Sequence, residues 1–162
     1  MPGSSLRLVL DTNVLLAGLV SESSASQQIV DALRVRKAVP LVSEMVLAEY
    51  RAVLLHPEIV ARFPNLTTRR VGMVLHRLVY IGDVYRAVRA KFDFPRDPRD
   101  AKFIELAIVG NASHIITFDA DLLSLPNSRS DAGKRFRQRL PRVQVLRPGE
   151  LIDAMGRVLG ID

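Results

Sequence analysis

The feature that most constrains this chain is an apolar run that does not alternate. Residues 7–11, RLVLD, place Leu8, Val9 and Leu10 in succession. A strand of that pattern buries both faces, as strands inside parallel sheets do. Parallel neighbours need long crossover connections, usually helices, so this short stretch already predicts an α/β fold. The run also ends on an acid, Asp11, with apolar sequence resuming at Val14.

The rest of the chain keeps the alternation. Residues 21–26, SESSAS, form a small-residue loop whose last serines suit the cap of a helix carrying Ile29, Ala32 and Leu33 on one face. Residues 38–43, AVPLVS, predict a second strand. Ser43 caps a helix from about Glu44 to Leu55, which His56-Pro57 ends because a residue before proline avoids helical geometry. Val71, Val74, Leu75, Leu78 and Val79 define one face of a helix over Thr68–Tyr80. That face reads first as core, then as a dimer contact, then as a groove for a partner segment. Residues 83–94 read as a short strand and a loop, and 96–112 as a capped helix ending near Gly110-Asn111. HIIT (114–117) and VQVL (143–146) are further strands, and a last helix starts near Pro148. The expected architecture is a three-layer α/β/α sandwich with a mainly parallel central sheet, formed by a single domain over residues 1–162, with no internal repeat or linker.

Composition fits this reading. A chain of 162 residues that is 48% hydrophobic can bury a core that needs no disulfide or structural metal. The absence of cysteine excludes thiolate metal sites and agrees with a reducing, cytoplasmic setting. The apolar amino-terminal stretch is interrupted by Asp11 and Asn13 and reads as strand and turn rather than a membrane span. A net charge of +6 favours polyanionic partners, nucleic acid or an acidic protein tail.

Four acids stand out. Asp11 and Asp119 follow strands at the carboxyl edge, where open parallel sheets gather ligands, although each also suits a helix cap. Glu49 has Met45, Val46, Ala52 and Val53 as its helical neighbours, which predicts a buried face and a need for a cation, such as a metal ion or an arginine, or for a strong hydrogen-bond partner. Asp97, before Pro98, has the signature of a helix cap, and Asp100 falls at the third helical position, where acids suit the helix dipole. Asp100 also precedes the sheet-packing face of Phe103, Ile104 and Ala107. Convergence of Asp11, Glu49, Asp100 and Asp119 would make an all-oxygen site, which no basic residue of these segments neutralises. Such sites take Mg²⁺ or Mn²⁺ and serve to activate water for in-line attack on a phosphodiester. His56, His76 and His114 lack ligand spacing and read as surface or packing residues.

The segments LVLDTNVLLAGL, LVSEMVLAEYRAVL, RDPRDAKFIELAIVGNASHIITFDADLL and VQVLRPGELI resemble, in order and over nearly the whole chain, the PIN-domain family, and most of all its bacterial toxin components of toxin-antitoxin pairs. The resemblance implies a Mg²⁺- or Mn²⁺-dependent ribonuclease acting on RNA, often homodimeric, with an antitoxin protein as partner. It places the family's metal-binding and catalytic acids at Asp11, Glu49, Asp100 and Asp119. Asn13 and Thr117 match polar positions that support these carboxylates, and Asp121 matches an outer acid.

Residues 126–142 are longer and more basic than the corresponding link in many small members of that family. They suit a short helix with Ala132, Phe136 and Leu140 inward. Lys134, Arg135, Arg137 and Arg139 then face outward, as a solvated surface or as a nucleic-acid-binding rim that tracks phosphates. Two other functions compete with the nuclease. One is a catalytically idle RNA- or protein-binding module on the same fold. The other is an aspartate-based phosphatase using Asp11, disfavoured because position 13 is Asn where a second acid is wanted.

Overall fold

A computed structural model describes residues 5–161. Five strands form one sheet: β1 (Leu6–Leu10), β2 (Ala38–Ser43), β3 (Asp83–Tyr85), β4 (His114–Ile116) and β5 (Gln144–Leu146). Every pairing is parallel, in the order β3-β2-β1-β4-β5. The helices are α1 (Thr12–Val20), α2 (Ala25–Arg34), α3 (Glu44–Leu54), α4 (Pro57–Arg62), α5 (Thr68–Ile81), α6 (Ala101–Val109), α7 (Ala120–Ser124), α8 (Asp131–Arg139) and α9 (Pro148–Met155). The expected α/β sandwich with a parallel sheet is the fold observed, and its sheet is parallel throughout.

The apolar run behaves as its pattern dictates. Leu8, Val9 and Leu10 are almost completely buried because both faces of β1 are covered. Leu8 and Leu10 pack with Ile29, Leu33 and Leu151, while Val9 joins the larger core of Val46, Leu54, Phe103 and Ile104 on the other face. β1 therefore lies at the centre of the molecule. The chain moves outward from it first through β2 and β3, then on the other side through β4 and β5. The carboxyl ends of β1 and β4 consequently flank the point where the winding reverses, where such sheets leave a crevice.

Several local expectations need correction. Val79 and Met73 project outward from α5, which turns only Val71, Leu75 and Leu78 fully inward. Asp100 is the third residue after the Asp97 cap, as expected, but the turn it ends is a 3₁₀ helix over Pro98–Asp100, and α6 begins at the next residue. Glu49 sits at the margin of the buried face of α3, because Met45, four residues earlier, is 63% exposed. The basic stretch forms α8 with Ala132 and Phe136 buried and Leu140 closing the helix, as its periodicity requires. Phe136 meets Phe92 edge-on at 6.4 Å between ring centres. This contact and the burial of Phe94 pin the otherwise irregular segment 86–97 against α8.

Candidate metal centre

At the reversal point the sheet presents its acids. Leu10 and Ile116 are partners in register, so Asp11 and Thr117, the next residue of each strand segment, emerge side by side. Asp11 caps α1, its Oδ1 accepting from the backbone N–H of Thr12 at 2.7 Å. Its Oδ2 accepts from the hydroxyl of Thr117 at 2.7 Å. The same Thr117 oxygen accepts from the backbone N–H of Asp119 at 2.9 Å, so one fully buried hydroxyl positions two acids at once. Tyr50 completes the support from below by donating its hydroxyl to the carbonyl of Leu10 at 2.5 Å.

Asp11, Glu49, Asp100 and Asp119 line one open cleft of about 390 Å³, together with Thr12, Asn13, Asp97, Arg99 and Phe118. Within it, one carboxylate oxygen from each of Asp97, Asp100 and Asp119 lies within 4.8 Å of the others. Asp97 therefore combines two roles. It caps the 3₁₀ turn by accepting from the N–H of Arg99 at 3.2 Å, and it belongs to the tightest group of acids. The Asp-Pro spacing signals only the first role.

Glu49 is held differently. One of its oxygens accepts from the ammonium of Lys102 and the other from the hydroxyl of Thr12. The expectation that no nearby cation neutralises these acids is thus incorrect for Glu49. Lys102 stands in the helix that follows Asp100, and packing of α6 beside α3 brings it to Glu49. Asp121 turns its carboxylate away from the cleft toward Arg96, at 3.1 Å, while its backbone N–H donates to Asp119 at 2.8 Å. Asn13 is exposed at the cleft wall. Lys134, Arg135, Arg137 and Arg139 do not line this cleft, and Arg135 lines the neighbouring one.

Crowding of the acids has an electrostatic signature. Burial pushes the Asp100 carboxyl up to about 8, reinforced by its hydrogen bond with Asp119 and by the charges of Asp11, Asp97 and Asp119. Burial likewise raises Asp11, opposed by the hydrogen bonds from Thr117 and Thr12 and assisted by the charges of Glu49 and Asp119. Negative charge is therefore concentrated here beyond what the protein compensates. An all-oxygen group with such an excess fits a hard divalent cation, which replaces the retained proton. The cleft contains no histidine, and the chain has no cysteine, so its donor set is unlike that of a zinc site.

The model of the PIN domain family matches residues 7–121, which include all of the acids above. An uncharacterized protein of Methanocaldococcus jannaschii is 28% identical over 148 residues, covering 91% of this chain and 90% of its own length. No solved structure matches the chain. PIN domains are generally metal-dependent nucleases acting on nucleic acid, in agreement with the acidic cluster. No described helix is long and apolar enough to cross a membrane. A parallel sheet wound outward from β1, acids at its reversal point and a family match over most of the length lead to one conclusion: this chain belongs to the PIN domain family.

Proposed function

We propose that the protein is a divalent-metal-dependent ribonuclease that hydrolyses RNA phosphodiester bonds. The observation that carries this reading is the convergence of the Asp97, Asp100 and Asp119 carboxylates beside Asp11 in an open cleft on a positively charged protein. Asp97, Asp100 and Asp119, with Asp11 adjacent, would hold Mg²⁺ or Mn²⁺. A cation bound there supplies an acidified water and neutralises charge developing on a phosphodiester.

The chain's own residues prepare that site. Thr117 orients the Asp11 carboxylate and anchors the backbone of Asp119, and loss of a supporting bond of this kind typically costs about 10- to 100-fold in metal affinity. Thr12 and Lys102 each engage one oxygen of Glu49, which holds its carboxylate in a fixed direction at the cleft wall. Asp100, whose proton is held into the neutral range, is the acid that releases a proton as a cation enters. Both oxygens of Asp11 are also engaged, which favours a supporting or ligating carboxylate over the nucleophile of a phosphatase.

The test is cleavage of labelled RNA by wild type and Asp11→Asn with Mn²⁺ or Mg²⁺ and with chelator. Cleavage is expected only for wild type with metal. Full activity of Asp11→Asn, or activity in chelator, would refute the proposal. A finer reading, growth arrest by the nuclease under control of an antitoxin protein, rests on the sequence resemblance. Inducing the chain in a bacterial host should stop growth for wild type and not for Asp11→Asn. A homodimer, the assembly expected with that reading, is checked by sedimentation.

A further inference from the structure

Phe118 is the one exposed phenylalanine among the described residues; the other five are buried or partly buried. It keeps 46% of its surface in water and belongs to neither apolar core. The other large apolar side chains left exposed, Met73 and Tyr80 among them, lie outside the acidic cleft, whereas Phe118 lines it. A ring placed among carboxylates without packing gives the fold little of the stabilisation that burial would supply. Its face is free for an incoming group.

The strand fixes where that face stands. β4 runs on into Thr117, whose fully buried hydroxyl donates to Asp11 and accepts from the N–H of Asp119. Phe118 is the residue between these two anchored positions, so its backbone is held on both sides relative to the acids. The rest of the cleft is polar apart from Val53, and Arg99 adds a cation with no ion pair among the described residues. An occupant that suits all of this carries negative charge for Arg99 and for a cation on the carboxylates, and a flat face for the ring beside it. A nucleotide joins both in one unit. An acidic peptide supplies the charge without a flat group at a fixed distance from it.

We propose that Phe118 is a specificity-determining residue of the RNA-cleaving site. Its ring stacks on the base of the nucleotide adjoining the cleaved phosphodiester and thereby favours purines there. The proposal rests on the nuclease reading of the cleft. Stacking uses the π-face that every base has, so the discrimination is graded rather than absolute. Its direction follows from area, because a purine covers more of a phenyl ring than a pyrimidine does.

The chain has no tryptophan, so Phe118→Trp places a lone fluorophore at the position in question. The probes are short oligoadenylate, oligouridylate and an abasic ribose-phosphate oligomer of equal length, with Ca²⁺ filling the carboxylates and a gel confirming that each probe is intact. Tyr80→Trp, exposed on α5 and outside the cleft, is the control. Oligoadenylate should quench the fluorescence of Phe118→Trp most, oligouridylate less and the abasic oligomer little, with no such order in the control. Phe118→Ala should melt at the wild-type temperature, bind oligoadenylate about tenfold more weakly and bind the abasic oligomer as wild type does; tenfold is the scale of one base–aromatic contact. Quenching that does not depend on bases, an adenylate-over-uridylate preference that survives in Phe118→Ala, or a large drop in its melting temperature would overturn the proposal. So would loss of self-association in Phe118→Ala without any effect on RNA binding, which would make the ring a protein contact. Mapping of cleavage with Mn²⁺ keeps the two readings apart. Cleavage with the same base bias in wild type and Phe118→Ala would remove the role of Phe118 and keep the nuclease. Base-dependent quenching without any cleavage would keep the stacking face and remove the nuclease.

Discussion

Thr117 donates its hydroxyl to Asp11 at 2.7 Å from the neighbouring strand, and it does so because Leu10 and Ile116 are paired in register immediately before them. Thr117→Val keeps the shape and removes the donor, leaving a buried carboxylate oxygen without its partner. Loss of this hydrogen bond pushes the Asp11 carboxyl further up, since the bond is the chief influence holding it down. Affinity for Mn²⁺ should fall about 10- to 100-fold, as loss of a ligand's supporting bond typically causes. Stability should fall by about 1–3 kcal/mol. Calorimetric titration and thermal melting measure the two effects separately.

Asp100 gives the metal-free protein a dependence on pH whose sign is fixed. Its carboxyl lies near 8 when folded and at its ordinary 3.8 when unfolded, so between these values the folded state holds the extra proton. Stability from this group is therefore lost progressively as pH rises above 3.8, and the loss is complete above about 8. His114, whose buried imidazole is lowered from 6.5, contributes with the opposite sign at lower pH, which makes pH 7 upward the informative window. In chelator the melting temperature of wild type should decline through that window, and Asp100→Asn should flatten the decline. Mn²⁺ affinity should rise through the same window, by roughly tenfold per pH unit for one displaced proton. A flat wild-type profile would contradict the placement of Asp100.

Lys102 balances Glu49 in a pair that is mostly shielded from solvent. Lys102→Met removes the ammonium and leaves the carboxylate beside Asp11 with only the Thr12 hydroxyl. The metal-free variant should lose about 1.5–3 kcal/mol of stability, the scale of a hydrogen bond to a charged group. Added Mn²⁺ should recover a larger share of that loss than it contributes to wild type, because the cleft is then more negative. Equal stabilisation of both proteins by the metal would place Glu49 outside the site's electrostatics.

The cations of α8 other than Arg135 should separate into two classes. Arg137 donates to the carbonyls of Pro126 and Ser128, at 3.0 and 2.7 Å, and therefore braces the turn that precedes the helix. Arg137→Ala should cost about 1 kcal/mol of stability. Lys134 and Arg139 are exposed and make no side-chain hydrogen bond or ion pair among the described residues. If they contact phosphates, each alanine variant should reduce the slope of log K against log salt for single-stranded RNA by about 0.7. Unchanged slopes would assign them to a solvated surface.

The sequence made the centre of this protein legible and its margins much less so. The non-alternating run in β1 and the alternation of strands with helices pointed to a parallel sheet, and Asp11 and Asp119 following two of the strands pointed to the crevice. β3 was less legible because it is three residues long and lies at the edge of the sheet; Arg7, reaching across from β1 to Asp83 and the hydroxyl of Tyr85, helps to hold it. Glu49 looked buried because Met45 counted as apolar, whereas the fold turns Met45 to solvent and covers Glu49 with a lysine 53 positions away in sequence. Asp97 shows the limit of local signals. Its capping role is written in the following proline, but its approach to Asp119 depends on how the turn before α6 docks against the end of β4, which no spacing encodes.

The most direct measurement is the rate of RNA cleavage against Mn²⁺ concentration for wild type and Asp119→Asn, with calorimetric Mn²⁺ titration of the same samples. If the carboxylates hold the ion that supports hydrolysis, the half-activating concentration equals the dissociation constant. Both should rise together by at least about tenfold in the variant. Cleavage that persists without metal, or activation of Asp119→Asn at the wild-type Mn²⁺ concentration, would contradict the assignment of this cleft as the metal centre.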